Sequence, residues 1–140
     1  MDVVFLAGRI LFVALFVVSG VQVHLVGRAG AIEVARSSGA PAAELFVPLS
    51  GVAIIAGGLS VALGVWADLG ALILAAFALS VMFFMHAFWK EQDEQARENQ
   101  FAHFMKNVAM AGGALVILWA YNQVQGDAPL SITDPLFGRG

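Results

Sequence analysis

The sequence contains no cysteine. That excludes disulfides, thiolate zinc sites, thiolate-held iron–sulfur clusters and c-type haem attachment. It also excludes electron transfer through a pair of thiols. Charge is the second scarcity. Asp, Glu, Lys and Arg make up 12% of the chain, about half the share in a soluble domain. The net charge of −3 offers no basic surface of the kind nucleic acid demands, so no nucleic-acid partner is expected. Carboxylates at metal-ligand spacing are missing as well. A di-iron centre needs Glu-x-x-His, and the residue three before His103 is Gln100; no metal site is expected.

Apolar residues fill the space left by charge. They make up 60% of the chain, and the mean hydropathy is +0.84. They fall in four runs, Val3–Val26, Leu45–Trp66, Leu69–Trp89 and Phe101–Tyr121. Each is close to the ~20 residues a helix needs to cross ~30 Å of hydrocarbon. The runs are continuous rather than alternating, so helices fit them and barrel strands do not. The first run lacks a basic leading region, carries Arg9 inside and matches the others in length, so it reads as a span and not as a cleaved signal.

Only Ala67-Asp68 separates the second and third runs, which makes them antiparallel neighbours. The predicted fold is all-α: an antiparallel, up-down bundle of four transmembrane helices over residues 1–121, with a polar, partner-docking tail over 122–140. Ile32, Val34 and Ala35 are expected to form a brief interfacial turn, and Pro48 to fall in the first turn of the second span, where proline is tolerated. Trp66, Trp119 and Tyr121 mark one membrane interface, and Phe88, Trp89 and Phe101 the other. Gly57-Gly58, Gly64, Gly70 and Gly112-Gly113 are expected to let helix backbones approach. Arg28, Arg36, Lys90, Arg97 and Lys106 lie at the end opposite the termini, whereas Arg9 and Arg139 share the termini's side. The positive-inside rule then puts both termini outside the cytoplasm.

Ionisable residues within spans are functional candidates by default. His24, His86 and His103 all fall near the basic end, with Lys106 and Asn107 beside them. They form a candidate polar pocket. Imidazole can relay protons, donate to a quinone carbonyl or ligate haem iron. Quinone is the first cofactor the pocket would suit and haem the second. The plainer reading is three histidines at the interface, wetted by headgroups or bonded to backbone carbonyls. No catalytic residue is identified. Arg9, about two turns inside the first span, is expected to pair with Asp68 and staple two helices, the alternative being an anionic ligand. The charged stretch from Lys90 to Gln100 reads as a solvated cap. In the tail, Leu130, Ile132, Leu136 and Phe137 are spaced to dock onto another subunit.

The order of motifs carries a resemblance. Gly8-Arg9-Ile10-Leu11, Phe16 and Ser19-Gly20 come first, then Gly39-Ala40-Pro41, Gly57-Gly58-Leu59 and Leu63-Gly64. His86 follows the aromatic end of the third run. Phe104-x-Lys106-Asn107-x-Ala109-x-x-Gly112-Gly113 lies in the fourth. Over roughly residues 5–120 the chain resembles the DoxX family. The resemblance implies a small four-helix protein of the prokaryotic cytoplasmic membrane. Some members are tied to quinone-linked thiosulfate oxidation or to membrane oxidoreductase complexes. Where members often carry Glu before the Gly-Gly pair and Arg after the second span, this chain has Ile54 and Asp68. The expected role is therefore an accessory subunit of a membrane redox or energy-converting complex, contacting lipid and other subunits through apolar helix faces and the tail. A quinone-interacting subunit is the alternative. A transporter ranks last, because the second and third spans carry no polar break at mid-membrane.

Overall fold

A computed structural model describes residues 1–124 and 128–137. Helix α1 (Asp2–Ser19) continues without interruption into a π-helical segment, Gly20–Val26. A short helix α2 (Arg28–Ser37) precedes the long helices α3 (Ala43–Leu63), α4 (Ala67–Phe84) and α5 (Glu94–Gln123). A single 3-10 turn, Phe88–Lys90, lies between α4 and α5. No strand occurs among the described residues. Four stretches are long and apolar enough to cross a membrane: Asp2–Val26, Ala43–Leu63, Ala67–Lys90 and Glu94–Gln123. The four expected spans are therefore present. Arg139, counted in the charge comparison, lies outside the described residues, as do 125–127 of the tail.

The helix ends follow local chemistry. Asp93 caps α5 by accepting the Ala96 N–H at 2.8 Å, which satisfies one of the orphan donors of the first turn. Helix α3 stops at Gly64, whose φ of +66° suits a residue without a Cβ. The Val65 N–H reaches back to the Ser60 carbonyl at 2.9 Å and the Gly64 N–H to that of Val61 at 3.4 Å. Both bonds belong to the Schellman closure.

Lipid gives helices no hydrophobic reason to associate, so they rely on close backbone approach. Gly20 and Gly51 provide it between the π-segment and α3: a Cβ on Gly20 would sit 3.0 Å from the Gly51 carbonyl oxygen, and one on Gly51 would sit 2.5 Å from His24 Cβ. Gly57 and Gly70 do the same between α3 and α4, where a Cβ on Gly70 would come 2.7 Å from the Gly57 carbonyl oxygen. Gly113 admits the Phe12 ring between α1 and α5. Around these crossings Phe16, Ile54, Leu74 and Tyr121 close the core. The pairs Val13–Gly58 and Gly20–Gly51 run in opposite order along α1 and α3. Phe5–Tyr121 and Phe12–Gly113 do so along α1 and α5.

Four features differ from the sequence reading. The expected interfacial turn around Ile32 is a full helix, α2. It buries Ala35 in a satellite cluster with Ala43, Val47 and Met85; Arg36 pairs with Glu33 within α2 and ties the helix to Glu44 of α3. Helix α3 starts at Ala43 rather than Leu45, so Pro48 lies in the second turn. There it leaves the Glu44 carbonyl without its usual N–H partner. Helix α4 ends at Phe84, although the apolar run continues to Trp89. His86 therefore sits in the connection and not in a helix. Helix α5 begins at Glu94, so His103 and Lys106 lie about three turns inside it.

Candidate functional site

Polar side chains gather at both ends of the bundle. At the end bearing the N-terminus, Arg9 is 1% exposed. Its Nη1 donates to the Tyr121 hydroxyl and to Ser131 Oγ at 2.9 Å, and its Nη2 donates to the Leu130 carbonyl at 2.8 Å. Tyr121 and Ser131 also share a bond at 3.0 Å. The guanidinium carbon lies 5.2 Å from the Phe5 ring centre and 5.8 Å from that of Tyr121, within range of cation–π attraction.

The tail folds back onto this end. The Gly64 carbonyl accepts the N–H groups of Ile132 at 3.1 Å and Thr133 at 3.0 Å. Thr133 Oγ1 accepts the Trp66 N–H at 2.9 Å. The Phe137 N–H donates to Asp68, which is fully buried. These contacts replace the expected Arg9–Asp68 pair. No ion pair joins the two residues: tail oxygens and Tyr121 engage the two terminal nitrogens of one, and a tail amide engages the other. Arg9 Nε and Asp68 Oδ1 remain buried without a partner among the described residues. Asp68→Asn should accordingly loosen the end of the tail more than it loosens the helices.

The opposite end brings two of the three histidines together. The His86 and His103 rings stack with centres 5.1 Å apart and planes inclined by 20°. His86 Nδ1 lies 2.8 Å from Gln100 Oε1 and His103 Nδ1 lies 3.1 Å from Lys106 Nζ. The Gln100 oxygen accepts and so suits an Nδ1–H on His86, whereas the Lys106 ammonium donates and so suits an unprotonated Nδ1 on His103. Asn107, 2% exposed, spends its amide on the His103 carbonyl at 2.9 Å.

His24 does not join them. Its Nδ1 lies 3.1 Å from the Val47 carbonyl and 2.9 Å from Ser50 Oγ, with its ring edge against Phe77. These contacts tie the π-segment to α3 and make His24 a structural group. The three-histidine pocket is thus a pair plus a tether. Two rings stacked at this distance cannot be trans ligands of one haem iron, which would have to lie between them. Beside the pair, Phe83, Phe88, Trp89 and Phe104 pack edge to face. An open depression of about 470 Å³ is lined by Phe88, Trp89, Glu91, Arg97, Glu98 and Phe101, and the histidines stay outside it. No group of three or more metal-binding side chains occurs among the described residues.

The sequence reading treated Tyr121 as an interfacial anchor and gave Ser131 no role. A lone tyrosine at the end of an apolar run, matched in depth to a lone arginine in another, was the available signal. Residues 4–87 match a family model, DoxX. The match spans α1 to α4 and ends just past His86, leaving α5 and the tail beyond it. No match was found among curated proteins or among solved structures.

Proposed function

The chain belongs to the DoxX family, and on that premise we propose that this multi-pass membrane protein is an accessory subunit of a larger redox or energy-converting assembly. Its place would be the prokaryotic cytoplasmic membrane, with both termini outside the cytoplasm by the positive-inside count. The observation that carries this reading is an open seam on α5. Ala102, Met105, Ala109, Gly112, Val116 and Trp119 recur at alternating intervals of three and four, and all are exposed. That spacing is the seam of two helices packed side by side.

Gly112 is its centre. A Cβ there would meet nothing within 4 Å, unlike Gly113 one residue on. A mid-helix glycine costs about 1 kcal/mol relative to alanine. No close approach among the described residues offsets that cost, but a helix from another subunit crossing at Gly112 would. Gly112→Leu should leave the isolated chain no less stable, and up to about 1 kcal/mol more stable, and reduce co-purification of neighbouring subunits about ten-fold. Gentle solubilisation followed by mass spectrometry of the co-purifying chains measures this. A homogeneous monomer from both forms would end the accessory reading, and a dimer of this chain alone would redirect it.

A second reading, a quinone-contacting subunit, is favoured by the stacking of His86 on His103. In the tautomers that Gln100 and Lys106 suit, a His103 Nε2–H would donate to a quinone carbonyl and the His86 Nε2 would take the proton of a reduced hydroxyl. His86→Ala should then lower quinone-dependent turnover of the assembly about 100-fold while the subunit stays incorporated, since losing one general acid or base costs on the order of 10²-fold or more. Unchanged turnover would remove this reading and leave the first intact.

A further inference from the structure

We propose that Arg9 and Tyr121 form a binding site for a phosphate-type oxyanion, and that the chain's own tail occupies this site as a displaceable plug. The argument begins with cost. A guanidinium buried at a membrane-spanning position is expensive unless its charge is compensated. Here its polar partners among the described residues are neutral: the Tyr121 hydroxyl, Ser131 Oγ and the Leu130 carbonyl. No carboxylate among the described residues lies within ion-pair distance of it. Arg9 Nε is buried with no partner among them.

The tail places one oxygen on each terminal nitrogen, at 2.9 Å on Nη1 and 2.8 Å on Nη2. Two oxygens of a single oxyanion present themselves to an arginine fork in the same way, with the advantage of charge. Tyr121 would supply a further donor from its hydroxyl.

The tail has the properties of a weak occupant. Leu130 adopts a left-handed conformation, with φ of +53°, while its carbonyl is aimed at Arg9. Such a conformation costs a non-glycine residue on the order of 1 kcal/mol. Hydrophobic burial offers little in return, since Leu130 is 56% exposed and Ile132 69%. A segment held by backbone bonds, with few buried apolar contacts, belongs to the low-stability end of a structure. The oxyanion can be free phosphate or the phosphate of a lipid headgroup. The site lies at the end of the bundle marked by Trp66 and Trp119, where headgroups are at hand.

The test uses the full chain in detergent. Ser131→Ala and Thr133→Val together remove the tail's bonds to Arg9 Nη1, to the Tyr121 hydroxyl and to the Trp66 N–H, and keep the Arg9 and Tyr121 side chains themselves. Titration calorimetry with inorganic phosphate and with a short-chain phosphatidylglycerol should show affinity for at least one of them rising about ten-fold in this double variant. Adding Arg9→Gln should abolish the gain. If that chain fails to fold, Arg9→Lys, which keeps the charge and loses the fork, should still reduce it about ten-fold. A gain with phosphatidylglycerol alone assigns the lipid headgroup; a gain with both assigns the oxyanion itself. Unchanged affinity for both probes overturns the proposal, as does a gain that survives loss of the Arg9 fork. Binding that appears only when Asp68→Asn is added also overturns it, because Arg9 would then turn to Asp68 once the tail leaves.

Discussion

Gly70→Val should produce the largest loss of stability of any single substitution in the bundle, about 3 kcal/mol or more. Even one added carbon at this position would sit 2.7 Å from the Gly57 carbonyl oxygen and 2.8 Å from Ser60 Cβ. The first of these is backbone and cannot rotate away. Ser60 is also committed, because its hydroxyl bonds the carbonyls of Val65 and Trp66 in the turn. Relief therefore requires α3 and α4 to separate, which breaks the contacts of Leu74 and Ile73 against Gly57. Overpacking of this kind costs about 1–3 kcal/mol where side chains can yield, and more where backbone must move. The thermal midpoint in detergent should fall by roughly 10 °C, taking a few degrees per kcal/mol. Gly112→Ala is the control. Its face is open, and the alanine should stabilise α5 by up to about 1 kcal/mol. Equal midpoints for the two variants would show that the α3–α4 crossing is looser than its geometry.

The contrast between Gly112 and its neighbour Gly113 bears on what the sequence could reveal. Both glycines fall in one apolar run, and sequence reasoning assigned both to packing. Only coordinates separate the one against Phe12 from the one facing outward. The four spans were legible because transfer of a segment into lipid depends on its composition, which needs no knowledge of neighbours. Helix ends were less legible: Asp93 and Gly64 are local caps, yet hydropathy ran the second span on to Trp66 and began the fourth only at Phe101. At Phe84 the run stays apolar while the backbone leaves the helix, so hydropathy placed His86 inside a helix that had already ended.

Partner choice was the least legible layer. A buried arginine announces that it needs acceptors, but not which. Asp68 was the nearest opposite charge by depth, yet Tyr121 lies 112 positions away in sequence and Ser131 lies 122 away. His24 and His86 look alike in sequence, each in an apolar setting near the same interface. One is held by the Val47 carbonyl and Ser50, the other by Gln100 and a second imidazole. That distinction follows from the π-segment, which turns His24 towards α3, and from the early end of α4. Neither leaves a clear trace in composition.

Arg9→Met carries the second large effect, and its sign differs between the bundle and the tail. Removing a buried cation from the membrane recovers a desolvation penalty of several kcal/mol, while methionine refills most of the arginine stem's volume. Tyr121 and Ser131 already bond one another at 3.0 Å, so neither hydroxyl is orphaned. The bundle should therefore keep its thermal midpoint to within about 1 kcal/mol. The tail has no such compensation. It loses the charged donor from both Ser131 and the Leu130 carbonyl, at about 1.5–3 kcal/mol each. With Leu130 strained and its apolar neighbours exposed, what remains is the Tyr121–Ser131 bond and the bonds of the tail to Gly64, Trp66 and Asp68. The amides of Ile132, Thr133 and Phe137, bonded to Gly64 and Asp68, should exchange with solvent at least 100-fold faster, the effect of about 3 kcal/mol. Hydrogen–deuterium exchange resolved to the C-terminal peptide reads this directly. Unchanged exchange would mean that the backbone bonds to Gly64 hold the tail alone. A fallen midpoint with a still-protected tail would mean that Arg9 braces the helices and not the segment laid across them.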